Sequence, residues 1–210
     1  MSTIPSEMLL AFDTSSAACT AALFDKDGVC LARADELIGR GHAERLVPMI
    51  EELMDGSSAT EILVGVGPGS FTGIRVAIAA AHGLSIGWDA RLSGMSSLAL
   101  LAAGAEGAGE IAAAVQGGHG ELFVQQFDAA TLEPTSTLRN AAPADVAQFT
   151  TADLIVGSGA KPIVEARGWG EALELWPSAG NALRLPEALR TCPPRPVYAR
   201  APDARVPEAA

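Results

Sequence analysis

Positive charge is scarce in this chain. Of its 210 residues, 14 are Lys or Arg and 25 are Asp or Glu, which gives a formal net charge of −11. Only Lys26 and Lys161 are lysines, and the twelve arginines form no basic cluster. Because an acidic surface repels phosphate groups, we expect no direct binding of nucleic acid.

Cysteine and histidine are also few, and their spacing excludes several kinds of site. The three cysteines form no Cys-x-x-Cys pair, so neither a zinc site nor a disulfide framework is predicted, and a reducing cytoplasm is expected. The three histidines form no His-x-x-x-His pair, so a metal centre lacks its ligands. The Gly-x-Ser-x-Gly turn of serine hydrolases is absent as well. We predict no metal and no cofactor.

Long apolar runs are missing too. Gly, Ser or a charged residue interrupts each apolar stretch well before the ~20 residues that a membrane span needs, so no membrane segment is expected. Residues 1–8 lack the basic segment and apolar run of a signal peptide. Hydrophobic residues nevertheless make up 49% of the chain. A folded core is therefore expected, and disorder over the whole chain is excluded.

Short apolar runs bounded by turn residues predict two similar α/β halves. In the first half, strands are expected at 8–12, 19–24, 29–34, 62–66 and 91–95, and helices at 43–54 and 74–86. In the second half, strands are expected at 111–115, 122–127 and 154–156, and helices at 145–149 and 161–167. Each half begins with a hairpin and later returns to a strand followed by a helix, which suggests a duplicated α/β unit.

The Gly/Ala-rich stretch 102–109 is the predicted boundary between the halves. We accordingly assign 1–101 to a first lobe, 102–192 to a smaller second lobe and 193–210 to a tail. Six of the thirteen prolines fall in the last 25 residues, so the tail is expected to be extended and partly ordered.

The two helices of the first half differ in pattern. Helix 43–54 has one apolar face, and Pro48 inside it predicts a kink or a late start, because proline cannot donate to the carbonyl of Glu44. Helix 74–86 is apolar all round and rich in alanine. Such a helix is expected to be buried on every side. One side can pack on the sheet, and another subunit can supply the second layer.

Two polar or Gly-rich loops are candidate ligand sites. The loop from Gly67 to Gly73 joins a strand to a helix, where backbone N–H groups can hold an anion. It lacks the Lys-Ser/Thr of a P-loop and the spacing of a dinucleotide fingerprint, so close helix–sheet packing is the favoured explanation of its glycines. Asp13 and the three residues after it permit two interpretations, a phosphate loop that binds Mg²⁺ or a capped turn.

Three segments together resemble the TsaB family, also called YeaZ. They are 11–15, 41–49 and 65–75, and the resemblance extends over residues 9 to about 100. In the second half only 120–123 and 196–200 match, and weakly. The most specific block consists of Gly67, Pro68, Gly69, Ser70, Phe71, Thr72, Gly73, Ile74 and Arg75.

The resemblance implies a fold and a role. The fold is α/β, with two ribonuclease-H-like lobes of the actin/Hsp70 (ASKHA) superfamily. The role is that of a non-catalytic subunit in the bacterial complex that makes N6-threonylcarbamoyladenosine at position 37 of tRNAs. In that family TsaB binds and activates its paralogue TsaD, which transfers the threonylcarbamoyl group. TsaE joins them as an ATPase, and TsaC makes the carbamoyl-adenylate.

Departures from the wider family favour a subunit without catalytic chemistry. The metal-binding His-x-x-x-His pair of TsaD corresponds to Ser97 and Leu101 here, and neither side chain replaces an imidazole. Gln116 and Gly118 stand where many TsaB relatives have Asp and Arg. The resemblance therefore implies that no nucleotide is hydrolysed, and that any phosphate loop is vestigial, comprising Asp13, Thr14, Ser15 and Ser16.

The resemblance also implies a four-helix interface with TsaD, or with a second copy in a homodimer. The residues assigned to it are His42, Arg45, Leu46, Met49, Ala77, Ala80, Ala81 and Leu84. Two other functions stay open. One is an actin-like ATPase or kinase acting alone, which Asp13-Thr14-Ser15 and the turn Gly157-Ser158-Gly159 would serve. The other is a peptidase, because TsaD relatives were once classed as glycoproteases.

Overall fold

A five-stranded mixed sheet supports the first part of the chain. The computed structural model describes residues 7–197. The strands of this first sheet are β1 (Leu9–Asp13), β2 (Ala18–Phe24), β3 (Cys30–Leu37), β4 (Glu61–Gly65) and β5 (Arg91–Met95). They lie in the order β3-β2-β1-β4-β5. β1 to β3 form an antiparallel meander, and β4 and β5 run parallel to β1.

A second sheet repeats this arrangement. Its strands are β6 (Glu110–Gln116), β7 (Leu122–Asp128), β8 (Arg139–Ala141), β9 (Leu154–Val156) and β10 (Glu171–Leu173). Their order, β10-β9-β6-β7-β8, matches that of the first sheet, with the same antiparallel and parallel pairs. The predicted duplication of an α/β unit is confirmed.

Within residues 7–197, six α-helices accompany the sheets. They are α1 (His42–Met54), α2 (Phe71–Trp88), α3 (Ser97–Ala102), α4 (Pro143–Phe149), α5 (Ala160–Arg167) and α6 (Glu187–Arg190). α1 and α2 share a core with the first sheet, and α4 and α5 share one with the second. None of the helices within residues 7–197 is long and apolar enough to cross a membrane.

One expectation for α1 needs correction. α1 begins at His42 and continues through Pro48, so the late start is wrong. Pro48 lies on the exposed side of α1, as does Glu44, whose carbonyl loses its partner in the helix and can be reached by water. α2 packs on the sheet along one side, and its other side is open in the single chain, where Ile86 is 83% exposed. The second layer that another subunit would supply stays a prediction.

The two sheets share one hydrophobic core, and α3 lies inside it. Residues 98–103 are completely buried, and they belong to one cluster with Phe24 and Leu63 of the first sheet and Ile111 and Phe127 of the second. The start of the predicted boundary segment 102–109 is therefore core and not an exposed linker. The division of the chain between 101 and 102 stays a prediction.

The C-terminal part returns to the first sheet. The 3-10 turn Ala179–Arg184 packs against β1, β2 and β3, and α6 packs against β5. Cys192 forms an antiparallel bridge with Gly94 of β5, and the Val197 N–H donates to the Val66 carbonyl at 2.9 Å. Residues 179–197 thus accompany the first sheet, although 102–192 was assigned to the second lobe. The rest of the predicted tail, 198–210, lies outside the described residues.

Candidate functional site

Asp13 ends β1 and organises the loop that follows. Its carboxylate is completely buried. Oδ1 accepts hydrogen bonds from the N–H and the hydroxyl of Ser15, both at 2.7 Å, and Oδ2 accepts one from the Ser97 hydroxyl at 2.5 Å. Three of the about four lone-pair sites of this carboxylate are therefore used by donors of the protein itself. The geometry therefore favours the capped turn over a phosphate loop.

The Gly-rich loop interlocks with the Asp13 loop. The Thr14 hydroxyl donates to the Gly73 carbonyl at 2.7 Å, and the Ser70 N–H donates to the Ser15 carbonyl at 2.6 Å. A Cβ at Gly73 would lie 1.9 Å from the Thr14 oxygen, and one at Gly69 would lie 2.2 Å from the Ser15 oxygen. Only glycine fits such contacts, so the explanation by close packing is confirmed at these two positions.

The start of α2 combines a cap with an exposed aromatic ring. Ser70 is the N-cap, and its hydroxyl accepts from the Gly73 N–H at 3.2 Å. Gly67 and Pro68 before it are buried. Phe71 is 63% exposed, and the guanidinium carbon of Arg75 lies 3.2 Å from the centre of its ring. Thr72 and Arg75 are exposed beside it.

Ser97 and Leu101 are the positions that the resemblance matches to the metal-binding His pair of TsaD. Here Ser97 forms hydrogen bonds and Leu101 packs in the core. Ser97 joins Asp13 to the Gly-rich loop, because its oxygen also accepts from the Gly67 N–H at 3.0 Å. Leu101 is completely buried, and a Cβ at Gly157 would lie 2.6 Å from its methyl group. Among residues 7–197 there is no group of three or more His, Cys, Asp or Glu that could hold a metal ion.

A cavity of about 560 Å³ lies in the second lobe, at the carboxyl ends of the parallel strands. The Gln116 N–H donates to the Ser158 hydroxyl oxygen at 3.1 Å, and its side-chain amide donates to the Ser158 carbonyl at 3.4 Å. Lys161, Glu165 and Glu174 also line the cavity. Gly118 belongs to the loop between β6 and β7, where it lies in a 3-10 turn together with His119.

Most residues assigned to the partner interface are core residues. Leu46, Met49, Ala77 and Ala81 have no exposed surface, and His42 is 9% exposed with Nε2 3.3 Å from the Ala18 carbonyl oxygen. The first lobe itself covers these five side chains, so a partner would meet other residues of α1 and α2 first. Ala80 and Leu84 are half-buried.

Arg45, the remaining assigned residue, is held by two carboxylates. Its guanidinium donates to both oxygens of Glu36 on β3, at 2.6 and 2.8 Å, and to both oxygens of Glu52 on α1, at 2.8 and 3.0 Å. These bonds lower the pKa of both glutamates and raise that of Arg45. Arg45 therefore fastens α1 to the edge of the sheet.

The surface that α1 and α2 leave open consists of different residues. We call it the outer helix face, and it comprises Val47, Ala79, Gly83, Ile86 and Gly87, all exposed. A Cβ added at Gly83 or Gly87 would meet nothing within 4 Å. Glycine in a helix interior costs about 1 kcal/mol relative to alanine, so the fold of this chain gives no reason for either glycine. The predicted helix 74–86 includes Gly83 and Ile86, but its all-round apolar pattern does not show which side is exposed.

Two lobes with the same strand order, each carrying helices on its sheet, define an α/β protein of the actin/Hsp70 (ASKHA) superfamily. The family model described as "TsaD: tRNA N6-adenosine threonylcarbamoyltransferase" matches residues 35–169, more than half of the chain. The structure of YeaZ from Pseudomonas aeruginosa is similar with a TM-score of 0.77 at 31% identity, covering 91% of this chain and 99% of that one. The chain belongs to the TsaB family, also called YeaZ, within the wider TsaD family.

Curated relatives agree with this assignment. The tRNA threonylcarbamoyladenosine biosynthesis protein TsaB of Escherichia coli K12 is 38% identical over 127 residues, which are 57% of this chain and 54% of the relative. The protein of the same name from Haemophilus influenzae is 35% identical over 126 residues, 56% and 52% of the two chains. The chain thus spans about half the length of the curated relatives it matches.

Proposed function

We propose that the chain is a non-catalytic subunit in the synthesis of N6-threonylcarbamoyladenosine at position 37 of tRNAs. In this proposal it binds and activates a TsaD-type transferase through the outer helix face, and TsaE joins the complex. The observation that carries the proposal is the exposed apolar face of α2, with Ile86 83% exposed beside two helical glycines that face open space. A closely approaching partner helix would account for both features, because small residues permit close contact between helices.

The arrangement around Asp13 supports a subunit without catalytic chemistry. Three hydrogen bonds from Ser15 and Ser97 occupy the buried carboxylate. Leu101 fills the space between α3 and the turn at Gly157. Catalysis would then reside in the partner. With a net charge of −11 the chain is a poor tRNA binder, so the partner would also supply the basic surface, in the cytoplasm.

The cavity beside Ser158 favours one alternative, an actin-like ATPase or kinase acting alone. Its volume of about 560 Å³ is within the usual range for small-molecule sites. Calorimetry with Mg-ATP separates the two functions, since saturable micromolar binding with turnover by the chain alone would favour the ATPase. A peptidase that uses Cys19 as its nucleophile is disfavoured. Burial raises the pKa of this completely buried thiol to about 11, so the thiol stays protonated.

Partner binding tests the proposed surface. We expect Ala79→Arg, at an exposed position of the outer helix face, to abolish co-elution with the TsaD of the same organism in size-exclusion chromatography. An arginine there is solvated in the free chain but would be buried without a partner in the complex, which is unfavourable by several kcal/mol. The helix itself tolerates arginine well.

Ala188→Arg is the matched control. Ala188 lies exposed on α6, away from the outer helix face, so the same substitution there should leave the complex intact. Circular dichroism verifies that both variants are folded. A complex that survives Ala79→Arg would refute the proposed surface. Ala81→Glu is unsuitable for this purpose, because Ala81 is completely buried and a charge there would disrupt the fold.

A further inference from the structure

One of the four sheet edges is long and open. In the second sheet the edge strands β8 and β10 have three residues each. In the first sheet, the β5 edge is bridged through Gly94 to Cys192 of the C-terminal segment. The opposite edge is β3, with eight residues that alternate between exposed and half-buried from Leu31 to Leu37, after a shift in the register of its pairing with β2 beside Leu31. Proteins ordinarily shorten or cover such edges, because an open edge can pair with another strand.

Apolar side chains are exposed along this edge. Leu31 is 54% exposed and Leu37 is 64% exposed. Ala32 and Ala34 pack against the core under the helices, so the odd-numbered residues of β3 lie on the opposite face. On that face Arg33 and Asp35 stand between the two leucines, with an Arg33 Nε to Asp35 Oδ2 distance of 3.4 Å.

The odd-numbered residues also carry the free backbone groups. The Ile38 N–H donates to the Ala17 carbonyl, in register with the pairing of β2 and β3. Since the bonds of an antiparallel pair alternate along the strand, the N–H and C=O groups of Arg33, Asp35 and Leu37 point away from β2. A new strand on this edge would therefore bond to odd-numbered residues.

The sequence of β3 is complementary to itself when it is paired antiparallel about Ala34. In that register Arg33 lies opposite Asp35 of the other strand, Leu31 lies opposite Leu37, and each pair occurs twice. Moving the strand by two residues would put Arg33 opposite Arg33, or Asp35 opposite Asp35, and like charges directly opposite each other are destabilising. Both backbone bonding and charge therefore select the same register.

We propose that β3 is a self-association surface, on which β3 of a second copy pairs antiparallel about Ala34 to join the two first sheets into one. Opposite charges and facing leucines among the odd-numbered residues identify the second copy as the occupant, beside the contacts of Arg33 with Gly180 and of Asp35 with Ser178. No residue of β3 belongs to the outer helix face. The proposal is therefore independent of the partner proposed for that face.

Charge reversal tests the pairing directly. Analytical ultracentrifugation of the full chain at tens of micromolar and about 0.15 M salt should show a dimer, since repulsion beyond about 8 Å is screened there. Arg33→Asp should raise the dimer Kd at least about tenfold, because aspartates then face each other twice. Mixing Arg33→Asp with Asp35→Arg should restore a dimer that neither variant forms alone.

Cysteine cross-linking covers the case in which Asp35→Arg fails to fold, since Asp35 accepts hydrogen bonds from Thr20 and Ser178. In a Cys30→Ser background, Ala34→Cys should form a disulfide-linked dimer under mild oxidant. The two copies of residue 34 face each other at about 4.5 Å between Cα atoms, within disulfide reach. Ala32→Cys is the matched control, with its two copies about 13 Å apart.

Three results would overturn the proposal. They are a monomer at these concentrations, a dimer that Arg33→Asp leaves unchanged, and equal cross-linking through residues 32 and 34. If Arg33→Asp leaves the dimer unchanged and Ala79→Arg abolishes it, the two copies associate through the outer helix face instead. None of these outcomes involves TsaD, so they do not bear on the proposed function.

Discussion

A single buried carboxylate connects three parts of the first lobe. Asp13 at the end of β1 binds the hydroxyl of Ser97 on α3, and the same hydroxyl accepts from the Gly67 N–H in the Gly-rich loop. The two side chains are 84 positions apart in the chain. These hydrogen bonds therefore hold the Gly-rich loop against the end of β1.

Removing the Ser97 hydroxyl should destabilise the fold. Ser97→Ala leaves the buried carboxylate of Asp13 one donor short, which costs about 1–3 kcal/mol. Urea denaturation should show a lower midpoint with an unchanged m-value. Ser57→Ala, at an exposed position after α1, is the control and should change the stability by less than about 0.5 kcal/mol. Equal midpoints for the two variants would contradict the role of Ser97.

Sequence reasoning located both loops but not the contact between them. The polar residues after β1 and the glycines before α2 are local patterns, so they could be found by reading along the chain. The Asp13–Ser97 bond depends on how three distant segments pack, and no local pattern encodes it. The resemblance to a metal-binding family identified Ser97 as a lost ligand, and the structure adds what the serine does.

Among the elements, α1 and α2 carry the open surface of the first lobe and are held differently. α2 is anchored at its start by the interlocked loops, through Thr14 and Ser70. α1 is fastened at the sheet edge by Arg45, which bridges Glu36 and Glu52. The position of α1 should therefore respond to the ionisation of these two carboxylates.

Acid should weaken the contribution of Arg45. Its guanidinium lowers the pKa of Glu36 and Glu52 below 4.5, the ordinary value. A group with a lowered pKa in the folded state stabilises the fold above its unfolded pKa, and this contribution is lost as the pH falls through the folded value. The Tm of Arg45→Gln should thus lie below that of the unmodified chain near pH 7, and the difference should shrink from about pH 5 to pH 3.

Arg40→Gln, at an exposed position just before α1, is the control for this experiment. It should show a small Tm difference that does not vary in the same pH range. If the Tm difference between Arg45→Gln and the unmodified chain stays constant down to pH 3, the charges of the two glutamates do not contribute to the stability of the fold.

Strong local patterns predicted elements well, and weak ones did not. The strands of the first lobe were expected within a few residues of where they lie, because each is an apolar run between turn residues. β8 and β10 were missed because neither is an apolar run, whereas β9, which is equally short, reads Leu-Ile-Val and was expected. α3 was missed because its six residues are uniformly buried and show no helical periodicity. The open side of α2 could not be predicted, since the helix is apolar on both sides.

At the scale of the whole molecule, the two lobes share one hydrophobic cluster. It contains residues 98–103, side chains from both sheets and residues of the 3-10 turn at 179–184. Separating the lobes would expose this shared apolar surface to water, which is unfavourable.

Unfolding should accordingly be a single cooperative event. Differential scanning calorimetry should show one transition, with equal calorimetric and van't Hoff enthalpies. Two resolved transitions would mean that the lobes unfold separately and that the shared core contributes little to the stability of either.

We propose that this chain activates a partner and catalyses no reaction itself. Reconstituted threonylcarbamoylation of tRNA, with TsaD, TsaE, ATP and carbamoyl-adenylate, tests it most directly. We predict no product with the chain alone, and a rate that depends on adding the chain to the other components. An unchanged rate when the chain is omitted would contradict the account.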